Sequence, residues 1–243
     1  MAVWRAAEDT VDTLRALGME DTCFIGGLAA RLYGNDREPH VSVDGKSSVD
    51  YLLIHGHTMQ DVDILILDSQ YDQETIKRMM TRQNRCFFLV DPQTIGADYK
   101  VLWYHPNGRG SSGRPTRRPS AIKVDILLPG IMELPSFDPY WIESDNSLRL
   151  PTAPLSLVLL HKVRGWWDRI NSDDHHYRDH WKDAQDVANL APIASEMGVT
   201  INDGVLPDDF IDSASEWANN FIATYPEFRT RYHWRKIGFR TYA

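Results

Sequence analysis

Asp61-Val62-Asp63-Ile64-Leu65-Ile66-Leu67-Asp68 is the stretch on which the fold turns. Its nearly continuous, β-branched apolar run suits a strand covered on both faces. Strand side chains alternate, so Asp61 and Asp63 point to one face. Two carboxylates there repel each other and resist desolvation, and a divalent cation relieves both problems. Their hard oxygens suit Mg²⁺, which takes a few carboxylates plus substrate phosphates. A second strand, Lys123-Val124-Asp125-Ile126-Leu127-Leu128, ends at Pro129-Gly130 and carries one acid in apolar surroundings. An unpaired carboxylate there is costly, so Asp125 is expected to join Asp61 and Asp63, with room for two ions. Upstream, Gly26-Gly27 separates the strand-like Thr22-Cys23-Phe24-Ile25 from the helical Leu28–Tyr33. Such a bend presents backbone N–H groups to a phosphate tail. Taken singly, a Gly-Gly is an ordinary turn and an Asp-x-Asp an ordinary strand end; it is their order that points to chemistry.

Working outward, residues 5–17 read as an amphipathic helix stopped at Gly18, with Ala6, Val11, Leu14 and Leu17 on one side. Residues 35–60 read as loop with a short apolar piece at Tyr51–Ile54, and 72–83 as helix. Cys86–Val90 and Tyr99–Tyr104 read as strands, and the Gly/Ser/Pro/Arg segment between Pro106 and Ser120 as loop. Pro135, Pro139, Pro151 and Pro154, with Pro129 just before, mark a linker over 135–154. Helices follow: Pro154 to about Ile170, then 174–191 with Trp181, Ala184, Val187, Ala188 and Ala191 on one side. The last is 208–225, with Phe210, Ala214, Trp217, Phe221 and Tyr225. The expected organisation is an α/β unit over 1–150 and a helical unit over 151–243.

The 243 residues suffice for a sizeable core, and 25% charged with 42% hydrophobic residues is a globular balance. The formal net charge is −8, so bulk charge does not hold nucleic acid; a local basic patch would be needed. No apolar run is long enough for a membrane span, and the N-terminal residues lack the features of a signal peptide. Cys23 and Cys86 cannot make a disulfide framework and read as reduced thiols, so a cytoplasmic location is expected.

Ile25-Gly26-Gly27-Leu28-Ala29-Ala30-Arg31-Leu32-Tyr33-Gly34, Asp61-Val62-Asp63-Ile64 and Lys123-Val124-Asp125-Ile126 together resemble the DNA polymerase beta-type nucleotidyltransferase superfamily. The likeness is greatest to its small members, including abortive-infection-type toxins. The resemblance implies a mixed sheet with flanking helices and Mg²⁺-dependent transfer of a nucleoside monophosphate from a triphosphate. It gives Asp61, Asp63 and Asp125 to metal, with Asp125 also as general base, and Gly26, Gly27, Arg31 and Lys123 to the nucleotide. In the helical half, Pro154-Leu155-Ser156-Leu157-Val158-Leu159-Leu160-His161-Lys162 and Lys182-Asp183-Ala184-Gln185-Asp186-Val187 resemble the family's later helices. Lys162 would then contact phosphate, and Asp183 would position it or the acceptor. On ordinary grounds, Lys162 is a lysine snorkelling from an apolar helix, and Asp183 and Asp186 a solvated face with a Lys182–Asp186 pair. The chain departs from the family in the 34 positions from Gly27 to Asp61 and in Gly27, where many members have Ser. The acceptor is open among RNA, protein and small molecules. The alternative is a catalytically degenerate nucleotide- or RNA-binding module of the same fold.

Three other features have two readings each. Arg109, Arg114, Arg117, Arg118 and Lys123 form an acid-free basic segment, either a polyanion or triphosphate dock or a solvated loop. The C-terminal tail interleaves Arg229, Arg231, Arg235, Lys236 and Arg240 with Phe228, Tyr232, Trp234, Phe239 and Tyr242, to clamp a single strand or to pin the tail to the core. His175, His176 and His180, near Asp173, Asp174 and Asp179, suggest either a transition-metal site or a helix start whose acids suit the dipole.

Overall fold

The computed structural model describes residues 2–35, 61–94, 96–108, 121–144, 147–172 and 180–242. Within them lie seven α-helices and one five-stranded mixed sheet. Helix α1 (Ala2–Ala16) buries Val3, Ala6, Ala7, Val11 and Leu14 at helical spacing. Strand β1 (Thr22–Ile25) is buried throughout and runs straight into α2 (Gly26–Leu32). Strand β2 (Asp61–Ile66) is followed by α3 (Gln73–Gln83), whose first turn is capped by Asp72 accepting from the Thr75 N–H at 2.9 Å. Then come β3 (Phe87–Val90), β4 (Val101–Tyr104) and β5 (Ile122–Leu127). The strand order is β1-β2-β5-β4-β3, with β2–β5 parallel and the other pairs antiparallel.

The 135–154 segment is packed rather than a free connector: Phe137, Leu150 and Ala153 are buried. The Phe24 N–H donates to the Pro151 carbonyl at 2.8 Å and the Ala153 N–H to the Phe24 carbonyl at 2.9 Å. Residues 151–153 thereby cover the open edge of β1, which would otherwise present unpaired backbone groups. Helix α4 (Leu155–Ile170) follows and packs on α2 and on α5 (His180–Glu196). Helix α5 continues past residue 191 through Pro192, and the expected start at 174 lies outside the described residues. Helices α6 (Asp208–Thr224) and α7 (Arg231–Lys236) complete the fold. The buried apolar side chains form one cluster reaching from Phe24 and Ile64 in the sheet to Trp166, Phe221 and Trp234 in the helices. Cys23 is buried, Cys86 half-buried, and both are free thiols. Among the described residues no helix is long and apolar enough to cross a membrane.

Candidate functional site

The parallel register sets Asp61 of β2 beside Lys123 of β5 and Asp63 beside Asp125. Members of each strand pair are two residues apart, and register partners share a face, so all four side chains project from one side of the sheet. Asp61 is exposed at the strand start; Asp63, Lys123 and Asp125 are half-buried. The Lys123 ammonium donates to Asp125 Oδ2 at 2.6 Å. Within the strand pair, three acids face one lysine.

The titration of Asp61 and Asp63 reflects burial first and the surrounding charges second. Burial first, then the charges of Asp125 and Asp61, push Asp63 up to about 7, against the pull of Lys162 and Lys123. Asp61 is raised too, by partial desolvation first; Lys123 pulls it down, Asp125 pushes it up and Lys182 pulls it down. For Lys123, burial works against the charge, but the hydrogen bond to Asp125 and the fields of Asp125, Asp61 and Asp63 outweigh it, and its pKa is raised. Asp61, Asp63 and Asp125 thus lie on one face of neighbouring strands and act on one another through their charges.

The glycine bend meets the same carboxyl. Ile25 is the register partner of Asp63, and the chain turns into α2 at Gly26 with φ +67°. A Cβ on Gly26 would collide with Asp63 Oδ2, so this position needs glycine both for its dihedral and for its space. Gly27 is the second residue of α2. Arg31, in the last turn of that helix, is exposed, with its guanidinium 5.9 Å from the Trp4 ring centre.

Lys162 enters through α4. Its Nζ lies 2.8 Å from Asp186 Oδ2 and 3.3 Å from Asp183 Oδ1, with Asp186 fully buried and Asp183 nearly so. Arg169 forms a further ion pair with Asp183. The Asn35 amide donates to Asp186 Oδ1 at 2.9 Å, and Asn189 donates to the Asn35 carbonyl oxygen at 2.9 Å. The reading of Asp183 and Asp186 as a solvated face is thus corrected, because both turn inward to satisfy a buried ammonium. Lys162 is likewise held rather than snorkelling, with 11% of its side chain exposed. Neighbouring His161 is pushed down to about 3 by burial and by Lys162, Arg164 and Arg169, so it is neutral at pH 7. Asn35 and Arg169 are members of this group that the sequence reading missed. Asn35 follows a helix stop, and its only signal is a polar residue just after α2.

Among the described residues, no group of three or more His, Cys, Asp or Glu side chains is gathered so as to hold a metal ion. Of the β2–β5 acids, Asp125 is already bound by Lys123. His175 and His176, with Asp173, Asp174 and Asp179, lie outside the described residues, as do Arg109, Arg114, Arg117, Arg118 and the Tyr51–Ile54 piece. In the C-terminal tail, Trp234 and Phe239 are buried and meet edge to face at 5.3 Å. Packing therefore accounts for part of that pattern. Comparison with family models, curated proteins and solved structures finds no match to this chain.

Proposed function

We propose that this chain is a metal-dependent nucleotidyltransferase that moves a nucleoside monophosphate from a nucleoside triphosphate to an acceptor hydroxyl. The observation that carries the reading is the register pairing of Asp63 with Asp125, with Asp61 two residues away on the same face. Three hard carboxylates on one sheet face are the donor type Mg²⁺ takes, and an ion bound there would have to draw them together, since they are not gathered around one point in its absence. Asp61, Asp63 and Asp125 would hold the ion, and bound Mg²⁺ supplies charge neutralisation to the phosphoryl group.

The rest falls to the chain's own groups. The Gly26–Gly27 bend brings backbone against Asp63 and cradles the triphosphate there. Lys123, poised on Asp125, turns its ammonium to the phosphates. Asp125 accepts the proton of the acceptor hydroxyl. That oxygen forms a bond to the α-phosphorus as the bond to pyrophosphate breaks. Lys162 lends positive field to Asp63, and Asp183 and Asp186 fix its position.

The Lys123–Asp125 ion pair favours one other reading, a non-catalytic nucleotide-binding module in which the lysine takes the cation's place. Incubation with α-labelled triphosphates, Mg²⁺ and total cell extract separates the two. Label transfer and pyrophosphate release by wild type, absent in Asp63→Ala, support catalysis. Calorimetric binding of a triphosphate without pyrophosphate release supports the module, and the absence of both binding and release overturns the nucleotide reading altogether.

A further inference from the structure

Helix α7 and its flanking turns divide their side chains cleanly. Trp234 and Ile237 turn inward and are 0% and 1% exposed. Arg231, Tyr232, Arg235 and Lys236 occupy the opposite arc, as the i, i+1, i+4, i+5 spacing on a helix demands, and all four are exposed. Arg229 just before the helix and Arg240 just after it are exposed as well. Between residues 228 and 242 the chain has five Lys or Arg and no Asp or Glu, on a protein of net charge −8. Two aromatic rings lie within this basic surface: Tyr232 is 66% exposed and Tyr242 75% exposed.

The surface is held in shape. The Asn219 amide donates to the Arg240 carbonyl at 3.1 Å, and the Tyr242 N–H donates to the Asn219 side-chain oxygen at 3.0 Å. Arg235 Nε donates to Thr241 Oγ1 at 2.6 Å, tying the tail alongside the helix. That bond uses one of the guanidinium's five donors. The Tyr232 ring is backed edge to face by His233 at 5.3 Å.

We propose that this outward face, built by Arg229, Arg231, Tyr232, Arg235, Lys236 and Arg240, binds single-stranded nucleic acid. Cations tracking a phosphate backbone beside exposed rings that accept stacked bases are the two elements such binding needs. A duplex keeps its bases stacked on one another and gives Tyr232 and Tyr242 nothing to stack on. A bilayer surface would need an apolar helix face to insert, and α7 spends its apolar residues on the core. The site is independent of the chemistry proposed for β2 and β5.

The test is fluorescence anisotropy of the full chain with labelled oligo(U) and oligo(dT) of about ten nucleotides, a duplex of equal length, and phosphatidylserine vesicles. Arg231→Glu/Lys236→Glu should weaken single-strand binding by about tenfold or more and flatten its salt dependence. Tyr232→Ala should weaken it by about fivefold or more through lost stacking while leaving the salt slope unchanged. All three positions are exposed, so an unchanged melting temperature confirms that each variant is folded. Preference for oligo(U) over oligo(dT), or the reverse, identifies which single strand the surface takes. Equal binding by wild type and the Glu variant, tighter binding to the duplex, indifference to Tyr232→Ala, or binding to the vesicles alone would each overturn the proposal.

Discussion

Two charged groups flank the junction of α2 with the rest of the fold, and they are built on opposite plans. On β2 and β5, Asp61, Asp63 and Asp125 face one lysine of the strand pair, Lys123, which is held by Asp125, and burial pushes Asp61 and Asp63 up. Between α4 and α5, Asp183 and Asp186 meet Lys162, Arg169 and the amide of Asn35, so charges and hydrogen bonds are nearly matched. The second group is deeper, yet it is the balanced one. A buried group that serves stability must satisfy itself within the chain. An unbalanced group open at one end is suited to a partner brought from solution. The difference is the one expected between a group that ties helices together and the cation site proposed for β2 and β5.

Breaking the clamp should have the largest effect. Lys162→Ala removes the ammonium that the buried Asp183 and Asp186 share and should cost about 3–5 kcal/mol, read as a fall in melting temperature of roughly 10 °C. A fall of only a degree or two would mean that the α4–α5 group is not balanced through Lys162. Next comes Gly26→Ala, which joins an unfavourable dihedral to a collision with Asp63; denaturant titration should show a loss of about 2–3 kcal/mol.

Asp63→Asn should act in the opposite direction. The folded carboxyl titrates near 7, above its unfolded value of 3.8, so the folded state binds more protons between those limits. Stability is then highest below pH 4, falls as pH rises toward 7 and levels off beyond. Without divalent cations, the variant should match wild type at low pH and exceed it by about 2 kcal/mol at pH 8, about half of what the full shift converts to, because solvent screens a half-buried carboxyl. A variant less stable than wild type at pH 8 would show that Asp63 is paired rather than strained. The smallest effect belongs to Asn35→Ala, which removes one of the donors serving Asp186 and should cost about 1–2 kcal/mol in the same denaturant titration.

The strands bearing the acids were legible because β2 and β5 are short, β-branched runs interrupted only by charged residues, Asp61 and Asp63 in one and Lys123 and Asp125 in the other. The bend at Gly26-Gly27 was legible from its place between a strand and a helix. What adjacent residues do not encode is which strands pair. Asp63 and Asp125 come together through a β2–β5 ladder whose partners are remote in the chain, while β3 and β4, which lie between them in sequence, sit at the sheet's far side. Spacing suggested only a local Lys182 partner for Asp186, and the fold brings the distant Lys162 to it. Burial decides that choice, and burial depends on the packing of α4 against α5. The tail was readable in both its senses at once: Trp234 and Phe239 pack, while the cations and Tyr232 stay outside.

The titration of Asp63 itself tests the account most directly. Carboxyl-selective NMR of the full chain should place its midpoint near 7 without divalent cations. Millimolar Mg²⁺ should carry it down into the ordinary carboxylate range, and Asp125→Asn should lower it without Mg²⁺. A midpoint already ordinary in the metal-free protein, unmoved by either change, would contradict the claim that β2 and β5 hold an acidic site awaiting a cation.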